Sequence, residues 1–453
     1  MNGIGTRGWT ARLVAEIGGL VASKIAAGVY ARQLGFTHVS DDDYARVTIA
    51  QAFTRSPTLD PSGTSWLPFP FWMVGAAMRV GGRSLATAEA TAWAVGIAAP
   101  VCVYLAARRV VDARAALAGA FVLAMTPWGI WLGLATVPEL PTAALAAVAV
   151  FILGGGRLSN GAAWLGGGCA LAASLSRYDA WPVAAVLFVS CVVGLRVVDD
   201  RRARVIGATL TAAGPAGWIA WNAHAHGDPL RFFHRVSRYH AAIGGHDTVV
   251  DRLLLYPAAL AREAPEVAVL LGASMVGLAL PEVRRRSGPA TLAALAALAF
   301  LAAGSLSEGA PTHHAARALV IVFPLLAVAG ADTAMYVYST YARGDGPRWV
   351  ARLVVIASVA AFLWRASVAL AAPPGASAAE DRTTQLARGK ELASQPGEPR
   401  LTVQPCAYEH FALIAGLAAP ERVTTLPRRD TPVTPSCPEV AIAGGRAPIP
   451  RVP

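Results

Sequence analysis

The sequence predicts an all-α polytopic membrane protein with about eleven transmembrane helices and a small C-terminal α/β extramembrane segment. Three observations predict it. Hydrophobic residues make up 55% of the 453 and charged residues only 15%, whereas a soluble domain carries about 25% charged; mean hydropathy is +0.47. Apolar runs long enough to span a bilayer, about 17–25 residues, recur along the chain. Basic residues gather between those runs, in every second connection.

The runs lie near 13–35, 85–107, 115–135, 139–154, 161–176, 181–198, 204–222, 264–281, 289–306, 317–338 and 350–371. The first follows two arginines, Arg7 and Arg12, without a small-residue cleavage site, and reads as an uncleaved first helix. With the N-terminus in the cytoplasm, the inner connections carry Arg108, Arg109 and Arg114; Arg157; Arg196, Arg201, Arg202 and Arg204; Arg284, Arg285 and Arg286; and Arg343, Arg348 and Arg352. That alternation is the positive-inside rule. It accounts for the formal charge of +11 as topology and excludes a nucleic-acid surface, which would need a basic stripe interleaved with aromatics. Scarce lysine with abundant Ala, Gly and Arg points to a GC-rich prokaryote and so to a bacterial plasma membrane.

Two parts follow: a membrane domain, 1–372, with a long first outer loop at 36–84, and an extracytoplasmic tail, 373–453. The tail alternates a strand at 401–404, a helix at 408–417 and strands near 422–426 and 439–442. Cys406 and Cys437 lie in it and suit a disulfide in an oxidising compartment, while Cys102, Cys169 and Cys191 read as buried thiols in apolar runs.

The chemistry gathers in the outer connections. Ser40-Asp41-Asp42-Asp43-Tyr44-Ala45-Arg46 has the form of a helix N-terminus, with Ser40 as cap and Asp43 three residues on. Three adjacent carboxylates exceed what a cap needs and repel one another. One suits a general base, a neighbour the orienting of substrate or of a divalent metal (Mg or Mn at Asp41 and Asp43). Downstream, Trp66 and Trp72 flank Leu-Pro-Phe-Pro-Phe and suit an interfacial platform for a lipid-linked substrate. Glu139 sits between Pro138 and Pro141 at the outer edge of the fourth run; Arg177-Tyr178-Asp179 separates the fifth from the sixth. Ionisable groups at such depth are costly and tend to be functional. His313, His314 and Arg317 open the tenth run, where cations oppose the helix dipole and an anionic ligand such as a phosphate relieves them. His224, His226 and His234 lie in the long outer connection 223–263, where they serve equally as acceptor contacts or as ordinary loop residues.

Acids early, Arg midway and His/Arg late, all on one face, resemble the GT-C superfamily of polytopic glycosyltransferases, across about 340 residues of the chain. The matching residues are Asp41–Asp43, Trp66-Leu-Pro68, Glu139 between its prolines, Arg177-Tyr178-Asp179 and His314 with Arg317. Many relatives have Asp-Glu where this chain has a run of aspartates. The resemblance implies a polyprenyl-phosphate sugar as donor, a lipid, glycan or protein hydroxyl as acceptor, and inverting transfer on the outer face. Asp42 would be the base, with Asp43 or Asp41 as alternates. Arg177, His313, His314 and Arg317 would neutralise the leaving phosphate, and Glu139, Tyr178, Asp179 and Trp66 would contact substrate. The competing expectation is a transporter or flippase of a lipid-linked or anionic solute; such proteins usually show repeated halves, which this sequence lacks.

Overall fold

The structure is a computed structural model and describes residues 11–155, 158–193, 200–243, 248–307, 314–341, 348–374, 380–396, 398–427 and 438–442. Helices dominate: α1 (Ala11–Gln33), α2 (Asp42–Arg55), α3 (Phe69–Gly81), α4 (Leu85–Ala107), α5 (Ala113–Met125), α6 (Pro127–Leu132), α7 (Glu139–Leu153), α8 (Asn160–Ser174) and α9 (Trp181–Val193) come first. Then follow α10 (Arg201–His226), α11 (Arg231–Ile243), α12 (Val249–Glu263), α13 (Pro265–Ala279), α14 (Pro281–Leu306), α15 (Ala315–Leu319), α16 (Phe323–Tyr341) and α17 (Arg348–Leu370). The tail holds α18 (Thr383–Ser394), β1 (Leu401–Gln404), α19 (His410–Leu417), β2 (Val423–Thr425) and β3 (Glu439–Ile442).

Among the described residues, four helical stretches are long and apolar enough to cross a membrane: Ala11–Gln33, Leu85–Ala107, Pro281–Leu306 and Ala315–Thr340. Shorter apolar helices surround them, α7 and α13 among these. Large apolar side chains such as Phe188, Val192, Val269, Val276 and Trp364 are exposed, an arrangement that water would penalise and lipid would not. Cys102, expected to be buried, is exposed on α4; it is a free thiol, as are Cys169 and Cys191. In a membrane helix the lipid-facing side is apolar too, so an apolar run does not say which of its residues face inward.

At the centre stands α7, with all but Pro141 and Leu145 of its residues buried, against α4, α8, α9, α14 and α16. Beside it the third apolar run breaks into α5 and α6. Pro127 cannot continue the ladder, and Thr126 caps the new helix by accepting from Gly129 N at 3.2 Å. Lys24, 2% exposed on α1, donates to Gly129 O at 2.5 Å. A lysine within an apolar helix is thereby matched to carbonyls that the break frees.

The connection 36–84, expected to face outward, contains two helices. α2 and α3 pack together, joined by a compact turn in which Asp60 Oδ1 accepts from Gly63 N at 3.0 Å, with Gly63 at φ +57. The segment around Trp66, expected to form an interfacial platform, is the connection between these two helices, and Pro70 is a first-turn residue of α3. The connection after α10 likewise folds into α11 and α12.

In the tail, β1 lies between β2, parallel, and β3, antiparallel, with Leu401 opposite both Val423 and Ile442. These strands fall where the sequence places them. Leu392, Leu401, Val403, Leu413, Ile414 and Leu417 form its core. A second cluster joins the tail to α2 and α3, with Ala412 and Ala415 packed among Tyr44, Val47, Ala50, Val74 and Met78. Gln51 Nε2 donates to Ala415 O at 3.0 Å, and Glu421 pairs with Arg83 at 2.6 Å and Arg55 at 2.9 Å. Cys406 is disulfide-bonded; Cys437 lies outside the described residues.

Candidate active site

The acidic run turns the corner from α1 into α2, and its three carboxylates meet three different surroundings. Asp43 is 3% exposed. Its Oδ2 accepts from Val39 N at 3.1 Å and Ser40 N at 3.2 Å, and its Oδ1 from Thr136 N at 2.9 Å. Thr136 Oγ1 donates in return to Asp43 O at 2.9 Å. Burial pushes the Asp43 carboxyl up to about 6, against the pull of Arg317 and these amides. Asp41 is held by a guanidinium fork from the tail, with Arg382 Nε at 2.7 Å and Nη2 at 2.9 Å. Asp42 is held by neither: its side chain is 43% exposed, and Oδ2 lies 3.5 Å from Arg317 Nη1.

Behind Asp42 lies a buried ionic cluster centred on Glu139, 2% exposed at the first residue of α7. Its Oε1 accepts from Arg177 Nη1 at 2.8 Å and from Arg317 Nη2 at 2.7 Å and Nε at 3.1 Å. Arg177 also binds Asp179 at 2.8 Å, and Arg317 Nη1 donates to Ser40 Oγ at 3.2 Å. The conflict between Arg317 and its helix start is therefore relieved from within the protein by Glu139 and Asp42. Two acceptors of the cluster, Glu139 Oε2 and Asp179 Oδ1, are buried without a hydrogen-bond partner.

Arg46 stands one turn beyond Asp42 on α2, the spacing that puts two side chains on one helix face. It is 8% exposed, with its guanidinium carbon 4.4 Å from the Trp66 ring centroid and 5.7 Å from that of Phe71. Nε and Nη1 are buried with no hydrogen-bond partner. Burial draws this guanidinium down to about 10 while Glu139 and Asp42 pull it back up, so it remains a cation at neutral pH. It lines a cleft with Val47, Pro70, Phe71, Val74 and Thr136. Among the expected site residues Arg46 was missing; its spacing from Asp42 was the available signal.

Of the remaining expected residues, Tyr178 donates to Ser65 O at 2.7 Å, accepts from Trp218 Nε1 at 3.1 Å and stacks on Phe232 at 4.6 Å, tying α8–α9 to the turn before Trp66. The His314 ring lies 5.7 Å from that of Trp128, and His313 is outside the described residues. His224 and His226 are exposed at the end of α10, and His234 pairs with Asp228 at 2.8 Å. Among the described residues none of these three bonds to the acidic run. A divalent ion does not fit Asp41 and Asp43: the first is occupied by Arg382 and the second by amide donors. No group of three or more His, Cys, Asp or Glu suited to a metal occurs among the described residues.

No protein-family model matches the chain, and no curated protein matches it by sequence. Solved structures do match in fold. ArnT from Cupriavidus metallidurans bound to undecaprenyl phosphate aligns with TM-score 0.59 at 16% identity, over 92% of this chain and 90% of that one. The oligosaccharyltransferase AglB from Archaeoglobus fulgidus, in complex with an inhibitory peptide and a dolichol-phosphate, aligns with TM-score 0.50 at 16% identity, over 84% and 58%. The same archaeal enzyme with zinc and sulfate gives 0.52 at 15% identity, over 83% and 56%. Both enzymes are GT-C superfamily members, so the fold is the one the sequence resembled.

Proposed function

We propose that the protein is a membrane glycosyltransferase that moves a sugar from a polyprenyl-phosphate donor to an acceptor hydroxyl on the extracytoplasmic face, with inversion. In this reading about eleven helices cross the bilayer, the N-terminus is cytoplasmic and the tail lies outside. The lipid phosphates named with the structurally similar enzymes support the donor class. A disulfide at Cys406 supports an oxidising compartment for the tail.

One observation carries the chemistry. Asp42 is the most accessible of the triplet, 43% exposed against 20% for the fork-bound Asp41, and a buried cation with unpartnered N–H groups, Arg46, stands one helical turn away. The Asp42 carboxylate accepts the proton of the acceptor hydroxyl. The acceptor oxygen forms a bond to the anomeric carbon as the carbon–oxygen bond to phosphate breaks in line, and the lipid phosphate departs with the bonding pair. Arg46, backed by Arg317 and Arg177, meets that developing charge with preorganised cations. Glu139 and Asp179 hold those two arginines in place.

The test is turnover of a panel of radiolabelled undecaprenyl-phosphate sugars by the purified protein with crude membrane acceptors. Asp42→Asn is expected to lower kcat by about 10²–10⁴-fold, the usual range for a lost general base. Arg46→Ala is expected to raise the donor KM as well. Consumption of no donor would leave transport of a lipid-linked or anionic solute as the leading reading, and full activity in Asp42→Asn would place the base elsewhere.

A further inference from the structure

We propose that the C-terminal α/β segment completes the active site, with Arg382 as the positioning residue for Asp42. The inference rests on the reading of Asp42 given above. Arg382 is the residue that precedes α18, and its guanidinium is 9% exposed. It grips both oxygens of Asp41, the geometry in which arginine and carboxylate bind most strongly. Its place is set by the tail's own packing. Asp381 Oδ1 accepts from Thr383 N at 2.9 Å, fixing the start of α18. Gly416 lets α18 and α19 cross so closely that a Cβ there would lie 2.6 Å from Leu386 O. α19 in turn packs on α2.

The acidic turn is therefore pinned on both sides of Asp42, at Asp41 by the tail and at Asp43 by Thr136 from the segment before α7. Neutralising Asp41 has a second effect, since an unpaired carboxylate next to Asp42 would repel both its charge and a departing phosphate. The other titratable groups that feel Asp41 are His38, Tyr44 and His410. Those facing Asp42 are Arg317 and Arg46. Arg382 is the cation in direct contact with Asp41.

The experiment measures kcat and donor KM on the full-length protein, with the undecaprenyl-phosphate sugar that the panel identifies, for Asp42→Asn, Arg382→Gln, Arg382→Lys, Asp41→Asn and the double variant Asp41→Asn/Arg382→Gln. Arg382→Gln is expected to lose on the order of 10²-fold in kcat, the scale of a misplaced reacting group, with donor KM unchanged. Arg382→Lys recovers part of the loss. The double variant recovers the part of the loss that comes from the free carboxylate beside Asp42, while Asp41→Asn alone, which keeps one hydrogen bond from Arg382 but loses the fork, falls less than Arg382→Gln. A bystander structural role gives no such charge rescue. Wild-type kcat in Arg382→Gln while Asp42→Asn is dead overturns the inference and leaves the function standing. So does a double variant no better than the single. If Arg382→Gln fails to fold, the other variants decide: an active double variant supports the inference, and an inactive Asp41→Asn overturns it. Full activity in Asp42→Asn removes the underlying reading instead.

Discussion

Three adjacent aspartates repel one another, and the protein resolves this by giving each a different neighbour: a guanidinium at Asp41, backbone amides at Asp43, and solvent with a nearby arginine at Asp42. The middle residue is left the most accessible of the three, with only the looser contact to Arg317 at 3.5 Å. Asp43→Asn tests the buried end of this arrangement. An amide group can place only one oxygen where the carboxylate placed two, so an NH₂ must face at least one of the N–H donors. An unsatisfied buried donor costs about 1–3 kcal/mol, and the melting temperature in detergent should fall accordingly at pH 7. The pH dependence gives a sharper test. The folded carboxyl sits near 6 and the unfolded one near 3.9, so in the interval between them the folded protein holds a proton that the unfolded chain has released. Its contribution to stability is therefore full below about 4 and is lost as pH rises through about 6. Melting temperatures of wild type and Asp43→Asn should diverge on acidification from 7 to 4, wild type gaining; a constant difference would show that Asp43 does not titrate there.

At the scale of elements, the helices were readable wherever composition alone decides them, and the tail's strands wherever alternation did. The site was readable only in part. Asp41–Asp43, Glu139, Arg177 and Arg317 stood out because charge is rare in an apolar chain. Their partners were not deducible, since Glu139 and Arg317 meet across 178 residues of sequence and Asp41 and Arg382 across 341. Arg46 escaped notice because a basic residue inside an amphipathic outer helix is unremarkable until its guanidinium is seen without a partner. The α18–α19 crossing was equally hidden, for a glycine in a helix is usually only a weak residue. At Gly389 an added Cβ would collide with Leu413 O and lie 2.8 Å from Leu417 N. Gly389→Ala should therefore cost the tail about 1–3 kcal/mol through overpacking, seen as faster proteolysis of the tail at constant protease. Gly272→Ala on α13, where nothing lies within 4 Å, should be neutral or slightly stabilising. Equal behaviour of the two variants would mean that the crossing is not tight.

The whole molecule places its ionic machinery at one end of the helical bundle. The acidic turn, the start of α7, the α8–α9 connection, α15 and the tail all meet there, while Arg284, Arg285 and Arg286 begin α14, on a connection that the alternation assigns to the opposite side. A transporter needs its polar groups along a path through the bilayer, whereas group transfer to an external acceptor needs them gathered on the acceptor's side. The orientation is testable without any substrate. In a background with Cys102, Cys169 and Cys191 replaced by serine and the Cys406 disulfide intact, single cysteines at exposed Lys390 and Ser394 of the tail should react with a membrane-impermeant maleimide in intact cells or right-side-out vesicles. Cysteines at exposed Arg284 and Arg285 should react only after permeabilisation. The positive-inside bias makes this the lower-energy topology, because the arginine clusters at 108–114, 196–204, 284–286 and 343–352 then lie on the cytoplasmic side. The reverse labelling pattern would put the acidic turn and the tail in the cytoplasm. There the Cys406 disulfide would lie in a reducing compartment and an external acceptor would be out of reach, so that single result would remove both the orientation and the proposed reaction.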